Sequence, residues 1–352
     1  MSSPIRILQP DNKGECTIIK VRVSQNGAFL RENEKKALLG AIGKGAKKVV
    51  LNGKQVEVTS PVPAIENPEL AILVPDLSYQ VSDDLRGMIP VNVPTFYDFK
   101  NLWFKTTIVL QVTGQAVLIG EKGVGKNHLC SAIAQDYSLP LYDVSGSRNL
   151  TEYDLVGHYE MVSGKTSWVE GLLPTWCKNG GLLILDEISL ARSSVLARIH
   201  SIFDFRRYLV IKEHNNERIE RHPHAYAIVA LNPPKGEYLG TQRLNIAFLD
   251  RFQVIAVSEP SFDEKKRIIK ARSSLDDDDF IESVLEVSEK INSEYKQGNL
   301  NDFVGIRNLI DCCNLIVNGL TRKEAIEICV INRFTDEEEM SRVEEICSIL
   351  VE

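Results

Sequence analysis

The run LIGEKGVGKNHLC, residues 118 to 130, sets glycines at 120, 123 and 125 and a lysine at 126. Glycines so placed let successive backbone N–H groups face an anion, and the lysine ammonium adds a full charge. A helix beginning there adds the positive end of its dipole. Gly120, Glu121, Lys122, Gly123, Val124, Gly125 and Lys126 therefore have the spacing of a loop built around the phosphates of a nucleotide, and Asn127 and His128 open the helix that follows. The residue after the lysine is ordinarily Ser or Thr, whose hydroxyl ligates magnesium. Here it is Asn127, whose amide oxygen is also a competent ligand but stands further from the backbone. A Gly-rich turn without a ligand is the alternative. The flanks favour the phosphate loop, because QAVLIG reads as a short apolar strand and KNHLCSAIAQDY as a helix.

Three more apolar runs end in residues that suit phosphate chemistry. GGLLILDEI delivers Asp186 and Glu187 to the carboxyl end of a buried strand, where ligands bind in open α/β sheets. An aspartate there can hold magnesium or its water, and the adjacent glutamate can take a proton from the attacking water. A solvated acidic turn is the alternative. AYAIVALNPP delivers Asn232, whose amide can orient that water or touch the γ-phosphate; alone, Asn-Pro would signal a turn. In NIAFLDRFQVI, Arg251 stands among apolar residues just before a strand, an odd place for a solvated arginine. A guanidinium at a subunit edge can stabilise a neighbour's γ-phosphate in the transition state, with a structural ion pair to Asp250 as the alternative. The candidate set is Lys126, Glu187, Asn232 and Arg251 for catalysis and Asn127 with Asp186 for magnesium, around the phosphates of a nucleotide.

These residues need a scaffold that brings strand ends together. QAVLIG, LPLYDVSG, GLLILDE, AYAIVALN and FQVIAVS are mostly apolar throughout, as expected of parallel strands buried on both faces beneath helices. From SEPSFDEKKRIIKARSS onward the pattern is helical, with Asp276 to Asp279 suited to a helix start. Residues 1–60 differ. CTIIKVRVS reads as a strand, ENEKKALLGAIGKGA as a short helix, and KKVVLNGKQVEV as a hairpin turning at Asn52-Gly53. Six prolines in residues 61–94 predict an extended linker. The predicted division is a small α+β N-terminal domain (1–60), a linker (61–94), an α/β nucleotide core (95–259) and a helical domain (260–352).

Composition narrows the class. No apolar run approaches the roughly 18 residues that cross a bilayer, and the first residues lack the apolar core of an export signal. Seven cysteines, with Cys312 and Cys313 adjacent and no CxxC, predict reduced thiols and a cytoplasmic protein. A net charge of −7 argues weakly against a global nucleic-acid binder. His222-Pro-His224 reads as a surface loop rather than a metal site, since no third ligand is near in sequence.

In order along the chain, Gly120 to Lys126, Asp186-Glu187, Asn232 and Asp250-Arg251-Phe252 resemble the Walker A, Walker B, sensor 1 and arginine-finger elements of AAA+ ATPases. DLVGHYEMVSGKTSWVEGLL, LDEISLARSSVLARIHSIFDFRRYLVI, ERHPHAYAIVALNPP and DFVGIRNLIDCCNLIVNGLTRKEAIEICVINRFTD are similar to the MoxR class and its CbbQ/NorQ/GvpN branch. The resemblance implies an AAA+ P-loop core with a helical lid, magnesium-dependent ATP hydrolysis, and a homo-oligomeric, hexameric ring. It also implies a client protein and a partner with a von Willebrand factor A domain. By the same resemblance Arg307, in GIRNLID, would be sensor 2, reaching the nucleotide of its own subunit. HYEMVSGKTSW would project toward the ring pore with Tyr159, Met161 and Trp168, unless those three pack on their own core. RRYLVIKEHNNERIERHPHAY would form a hairpin, with Arg206 and Arg207 either touching a neighbouring subunit or closing a solvated strand. Members of the branch look like this chain at position 127.

Two other readings stay open. Arg31, Lys35, Lys36, Lys44, Lys47, Lys48 and Lys54 against Glu32 and Glu34 make a basic N-terminal stretch that could hold nucleic-acid phosphates. No aromatics interleave it, which favours a plain solvated face. Asn127 keeps open a nucleotide-gated scaffold with little turnover.

Overall fold

The computed structural model describes residues 4–10, 16–22, 48–51, 54–57 and 75–350, apart from 95, 98, 163 and 234–245. Strands β1 (Pro4–Pro10) and β2 (Cys16–Arg22) pair antiparallel, as do β3 (Lys48–Leu51) and β4 (Lys54–Glu57). Pairing of Leu51 with Lys54 leaves the two-residue connection that Asn-Gly predicts. β1 was not expected; prolines stand at both of its ends, where a strand tolerates them. The helix read over residues 32–46 and most of the basic stretch lie outside the described residues.

The chain forms two units, Met1–Gly120 with Gly125–Val257, and Glu121–Val124 with Ser258–Glu352. The first unit holds α1 (Leu102–Thr113), β5 (Gln115–Ile119), α2 (Lys126–Asp136) and β6 (Leu141–Ser145). α3 (Glu152–Val156) leads into a hairpin of β7 (Gly157–Val162) and β8 (Lys165–Glu170). α4 (Leu172–Asn179), β9 (Gly181–Asp186) and α5 (Ser193–Ile199) follow. A second hairpin, β10 (Tyr208–Ile211) with β11 (Glu217–Glu220), precedes β12 (Ala225–Leu231), α6 (Ile246–Leu249) and β13 (Gln253–Ala256).

Five strands make one parallel sheet in the order β13-β5-β12-β9-β6. The three inner strands are buried almost throughout, which is why their sequences show no alternation. The expectation of burial on both faces fails at the edges. β6 alternates buried with open positions, and β13 is mostly exposed, Val254 included. Leu183, Leu185, Ala227 and Val229 meet Trp176, Phe203, Phe248 and Phe252 in the core of this unit.

α1 was not foreseen, because TTIVLQVT is rich in β-branched residues that favour strands. Its threonines adapt. The hydroxyls of Thr106, Thr107 and Thr113 donate to carbonyls four residues earlier, at 2.8, 3.0 and 2.8 Å. The segment from Pro75 packs along this unit. Leu77 is buried, the Tyr137 hydroxyl donates to the Pro75 carbonyl at 2.8 Å, and Tyr79 stacks on His224. It is not extended throughout, since Asp83–Met88 form a short 3-10 helix.

The second unit contains α7 (Phe262–Ser273), α8 (Asp278–Lys296), α9 (Ile306–Val317), α10 (Arg322–Cys329) and α11 (Glu337–Cys347). Capping boxes start α7 (Ser261 with Glu264) and α10 (Thr321 with Glu324). Asp277 caps α8 by accepting from the Phe280 N–H. Phe280, Ile281, Val284, Leu285 and Ile291 of α8 face a core that also holds Cys312 and Cys313. Cys130, Cys177, Cys312, Cys313, Cys329 and Cys347 are buried and free. Among the described residues no helix is long and apolar enough to cross a membrane.

Candidate nucleotide site

β5 ends at Ile119, and the chain turns through Gly120–Gly125 into α2. Gly123 and Gly125 take φ of +84° and +92°, a region where any side chain is strained. Lys126 opens α2 with only 8% of its surface exposed. Its ammonium donates to the Gly120 carbonyl at 2.6 Å and to Asn232 Oδ1 at 2.9 Å. The other end of the same amide donates from Nδ2 to Glu187 Oε1 at 3.0 Å. Lys126, Asn232 and Glu187 follow β5, β12 and β9, three successive strands of the sheet. Three strand ends thus hold a cation, an amide and a carboxylate in one connected row.

Asp186 closes β9, and Asn127 Nδ2 donates to its Oδ2 at 2.6 Å. Glu187 then bends the chain with φ +47° and ψ +31°, an uncommon conformation for a residue with a side chain. Its own N–H donates to the Ala230 carbonyl at 3.0 Å and fixes the bend. Sequence reasoning missed two neighbours of this turn. A Cβ on Gly146 would lie 2.3 Å from the Glu187 carbonyl oxygen, so glycine alone permits the approach. The only signal was a glycine just after the strand LYDVS. Asp143, on β6, is the second. Burial, and then the charge of Asp186, raise its carboxyl above the ordinary range.

The remaining candidates divide. His128 donates from Nε2 to the Pro94 carbonyl at 2.7 Å and meets the edge of Phe96. Arg307 is exposed in the first turn of α9, in the second unit. Arg251 is not beside Lys126. It precedes β13, at the amino end of the sheet, while Lys126 lies beyond the carboxyl end of neighbouring β5. Five residues of strand separate those levels by about 16 Å. With Arg207, Thr113, Gln115 and Phe205, Arg251 lines a cleft of about 340 Å³. Arg206 instead pairs with Asp204 at 2.6 Å.

On the β7–β8 hairpin, Met161 and Tyr159 are exposed. Trp168 stacks on His214, ring centroids 4.8 Å apart, so it packs the first hairpin against the second. His222 and His224 also serve packing, both against Tyr79.

Among the described residues no group of three or more His, Cys, Asp or Glu side chains could hold a metal. Magnesium beside a nucleotide needs fewer protein ligands, since phosphates and waters supply the rest. The Asp186 carboxylate and the Asn127 amide are hard oxygen donors on adjoining side chains, and they fit that ion once the amide turns its oxygen inward.

A parallel sheet with a phosphate loop after one strand, and a polar amide and an acidic pair after the next two, is the P-loop core of the AAA+ class. Residues 115–252 match the family described as AAA domain (dynein-related subfamily), and residues 265–349 match CbbQ/NirQ/NorQ C-terminal. The two matches together span more than half of the chain. The chain belongs to the MoxR-class AAA+ ATPases, in their CbbQ/NorQ-like branch.

An uncharacterised protein of Staphylococcus aureus (strain NCTC 8325) is 29% identical over 233 residues, 64% of this chain and 87% of the relative. One from Staphylococcus epidermidis is 28% identical over 246 residues, 67% of this chain and 90% of the relative. A solved structure titled the Thermotoga maritima RuvB Holliday junction branch migration motor has 16% identity and a TM-score of 0.41. It covers 72% of this chain and 70% of its own. A likeness at that score adds nothing to the assignment. Membership in the family implies ATP binding.

Proposed function

We propose that the chain hydrolyses ATP in a homo-oligomeric, hexameric ring and uses the energy to remodel or activate a protein client, together with a partner bearing a von Willebrand factor A domain. The observation that carries the ATPase reading is the row Lys126–Asn232–Glu187, joined at 2.9 and 3.0 Å. In this reading Lys126 and the N–H groups of the loop bind the phosphates. Glu187 takes a proton from water as the water oxygen bonds to the γ-phosphorus and the bond to the ADP oxygen breaks. Asn232 holds the Glu187 carboxylate in place through its amide nitrogen. Asp186 and Asn127 would hold magnesium, which neutralises phosphate charge when bound. Arg251 stands at the opposite end of the sheet from its own loop and lines a cleft there, which supports a role at a neighbour's γ-phosphate. Arg307 would reach its own subunit's nucleotide, and exposed Tyr159 and Met161 would contact the client. Ring, client and partner rest on family membership.

The test is a pair of variants. Glu187→Gln should keep ATP bound and nearly stop turnover, because an amide cannot accept the proton. Lys126→Ala should lose binding itself. Both variants hydrolysing ATP like wild type would sink the enzymatic reading. Wild type that binds ATP and never turns it over would favour the nucleotide-gated scaffold.

A further inference from the structure

At the amino end of the sheet lies a buried arginine that no sequence motif singled out. Arg221 is 5% exposed and sits over the rings of Trp176 and Phe203. All five of its N–H groups are used, and every acceptor is a neutral oxygen. Nε donates to the Ala225 carbonyl at 3.1 Å, and Nη2 to those of Ala225 and Gly114, both at 2.7 Å. Nη1 donates to the Ile202 carbonyl at 3.3 Å and to Gln115 Oε1 at 2.6 Å. Burial, and then the charge of Arg207, lower its pKa from the usual guanidinium range. An uncompensated buried cation is costly, so a purely structural filler would be an apolar side chain.

Gln115, the first residue of β5, is buried as well. With its oxygen held by Arg221, its amide nitrogen must face the other way. There it donates to the Phe203 carbonyl at 2.7 Å and to the carbonyl of Arg251. Phe248 and Phe252, buried on either side of Arg251 in sequence, pack on Phe203 and anchor the same turn. The residue at 115 must accept on one branch and donate twice on the other, which an amide does and a carboxylate does not.

We propose that Arg221 and Gln115 are positioning residues for Arg251, a clamp that fixes the main chain from which its guanidinium extends toward a neighbouring subunit's nucleotide. This rests on the reading of Arg251 given above. Two strands tie the clamp to the subunit's own site. β5 begins at Gln115 and ends just before the phosphate loop, and β12 begins four residues after Arg221 and ends just before Asn232. The clamp therefore stands at the start of β5, the strand that also carries the subunit's own phosphate loop.

The experiment mixes full-length subunits. Gln115→Met should lower ATP turnover at least tenfold while nucleotide affinity stays within about twofold, since the phosphate loop is untouched. Gln115→Glu keeps an acceptor for Arg221 but loses the donors, and should show the same defect with the fold retained. Mixed with Glu187→Gln subunits, whose Arg251 is intact, Gln115→Met subunits should regain turnover above the sum of the two alone. An Arg251→Ala preparation run in parallel tests the underlying reading. If Arg251→Ala matches wild type, or is impaired and gains nothing from mixing, that reading of Arg251 falls. If Arg251→Ala behaves as expected while Gln115→Met matches wild type, or is impaired and not rescued, the clamp alone is overturned.

Discussion

Asn127 donates from its side-chain amide to the carboxylate of Asp186 at 2.6 Å, joining the residue after the loop lysine to the first acid of the strand end. A serine or threonine side chain is shorter than this amide. If the pair also serves magnesium, Asn127→Ala should raise the magnesium concentration needed for tight nucleotide binding, because water must take the vacated position. Asn127→Thr restores a familiar ligand with less reach, and turnover should stay within roughly tenfold of wild type, about 1.4 kcal/mol of barrier. Nucleotide affinity titrated against magnesium decides the point. Unchanged metal dependence in Asn127→Ala would remove Asn127 from the ligand set.

Asn232 carries the next prediction, since one amide touches both Lys126 and Glu187. Asn232→Ala should leave ATP binding nearly intact and slow turnover by at least about tenfold, because Glu187 loses its orienting donor. Asn232→Asp should be slower still. It keeps an acceptor for Lys126 but sets a second carboxylate against Glu187. Steady-state rates of the two variants, compared with their nucleotide affinities, test the order. An Asp variant faster than the Ala variant would mean that the amide nitrogen does not position Glu187.

Gly146 links stability to the site. An added methyl would meet the Glu187 carbonyl oxygen at 2.3 Å and the Ile188 Cα at 2.6 Å, both backbone atoms that cannot swing aside. Gly146→Ala should cost about 1–3 kcal/mol of stability, as overpacking does. It should also depress turnover beyond the loss of folded protein, because the displaced turn carries Glu187. Thermal unfolding followed by activity per folded molecule measures both. A variant as stable and active as wild type would show that the turn is softer than its geometry implies.

What the sequence made legible follows from how local each signal is. β5, β9 and β12 announce themselves as apolar runs because both of their faces are covered, and the residues that follow them mark the candidate site. β13 looked the same in sequence, yet it lies at an edge and Val254 is exposed. Its neighbours in the sheet could not be read from its own residues. α1 was hidden because its β-branched content points to a strand, whereas burial of Leu102, Trp103 and Leu110 selects the helix. The Gln115–Arg221 contact joins residues 106 positions apart, and Gln115 to Arg251 spans 136. Nothing in either local sequence marks those partners, and only the parallel sheet order brings them together.

The last prediction concerns pH, and two histidines carry it. Burial first, then Arg251, lower the pKa of His200, whose Nε2 is buried with no hydrogen-bond partner among the described residues. Burial, then His224, lower that of His222, whose Nδ1 accepts from the His224 N–H at 3.1 Å and would lose that bond on protonation. In the unfolded chain both titrate near about 6.5. On acidification the unfolded chain takes up these protons before the folded one does, so stability falls as pH drops from neutrality through the lowered folded-state values. Below those values both states are protonated and the histidines contribute no further slope. Carboxylates such as Asp154 and Asp204, lowered by their hydrogen bonds to Thr151 and Arg206, add their own loss only at more acid pH. Melting temperature should therefore decline between about pH 7 and the lowered histidine values. The combined His200→Gln and His222→Gln variant should decline less over the same window. An equal slope in wild type and variant would assign the acid sensitivity to other groups.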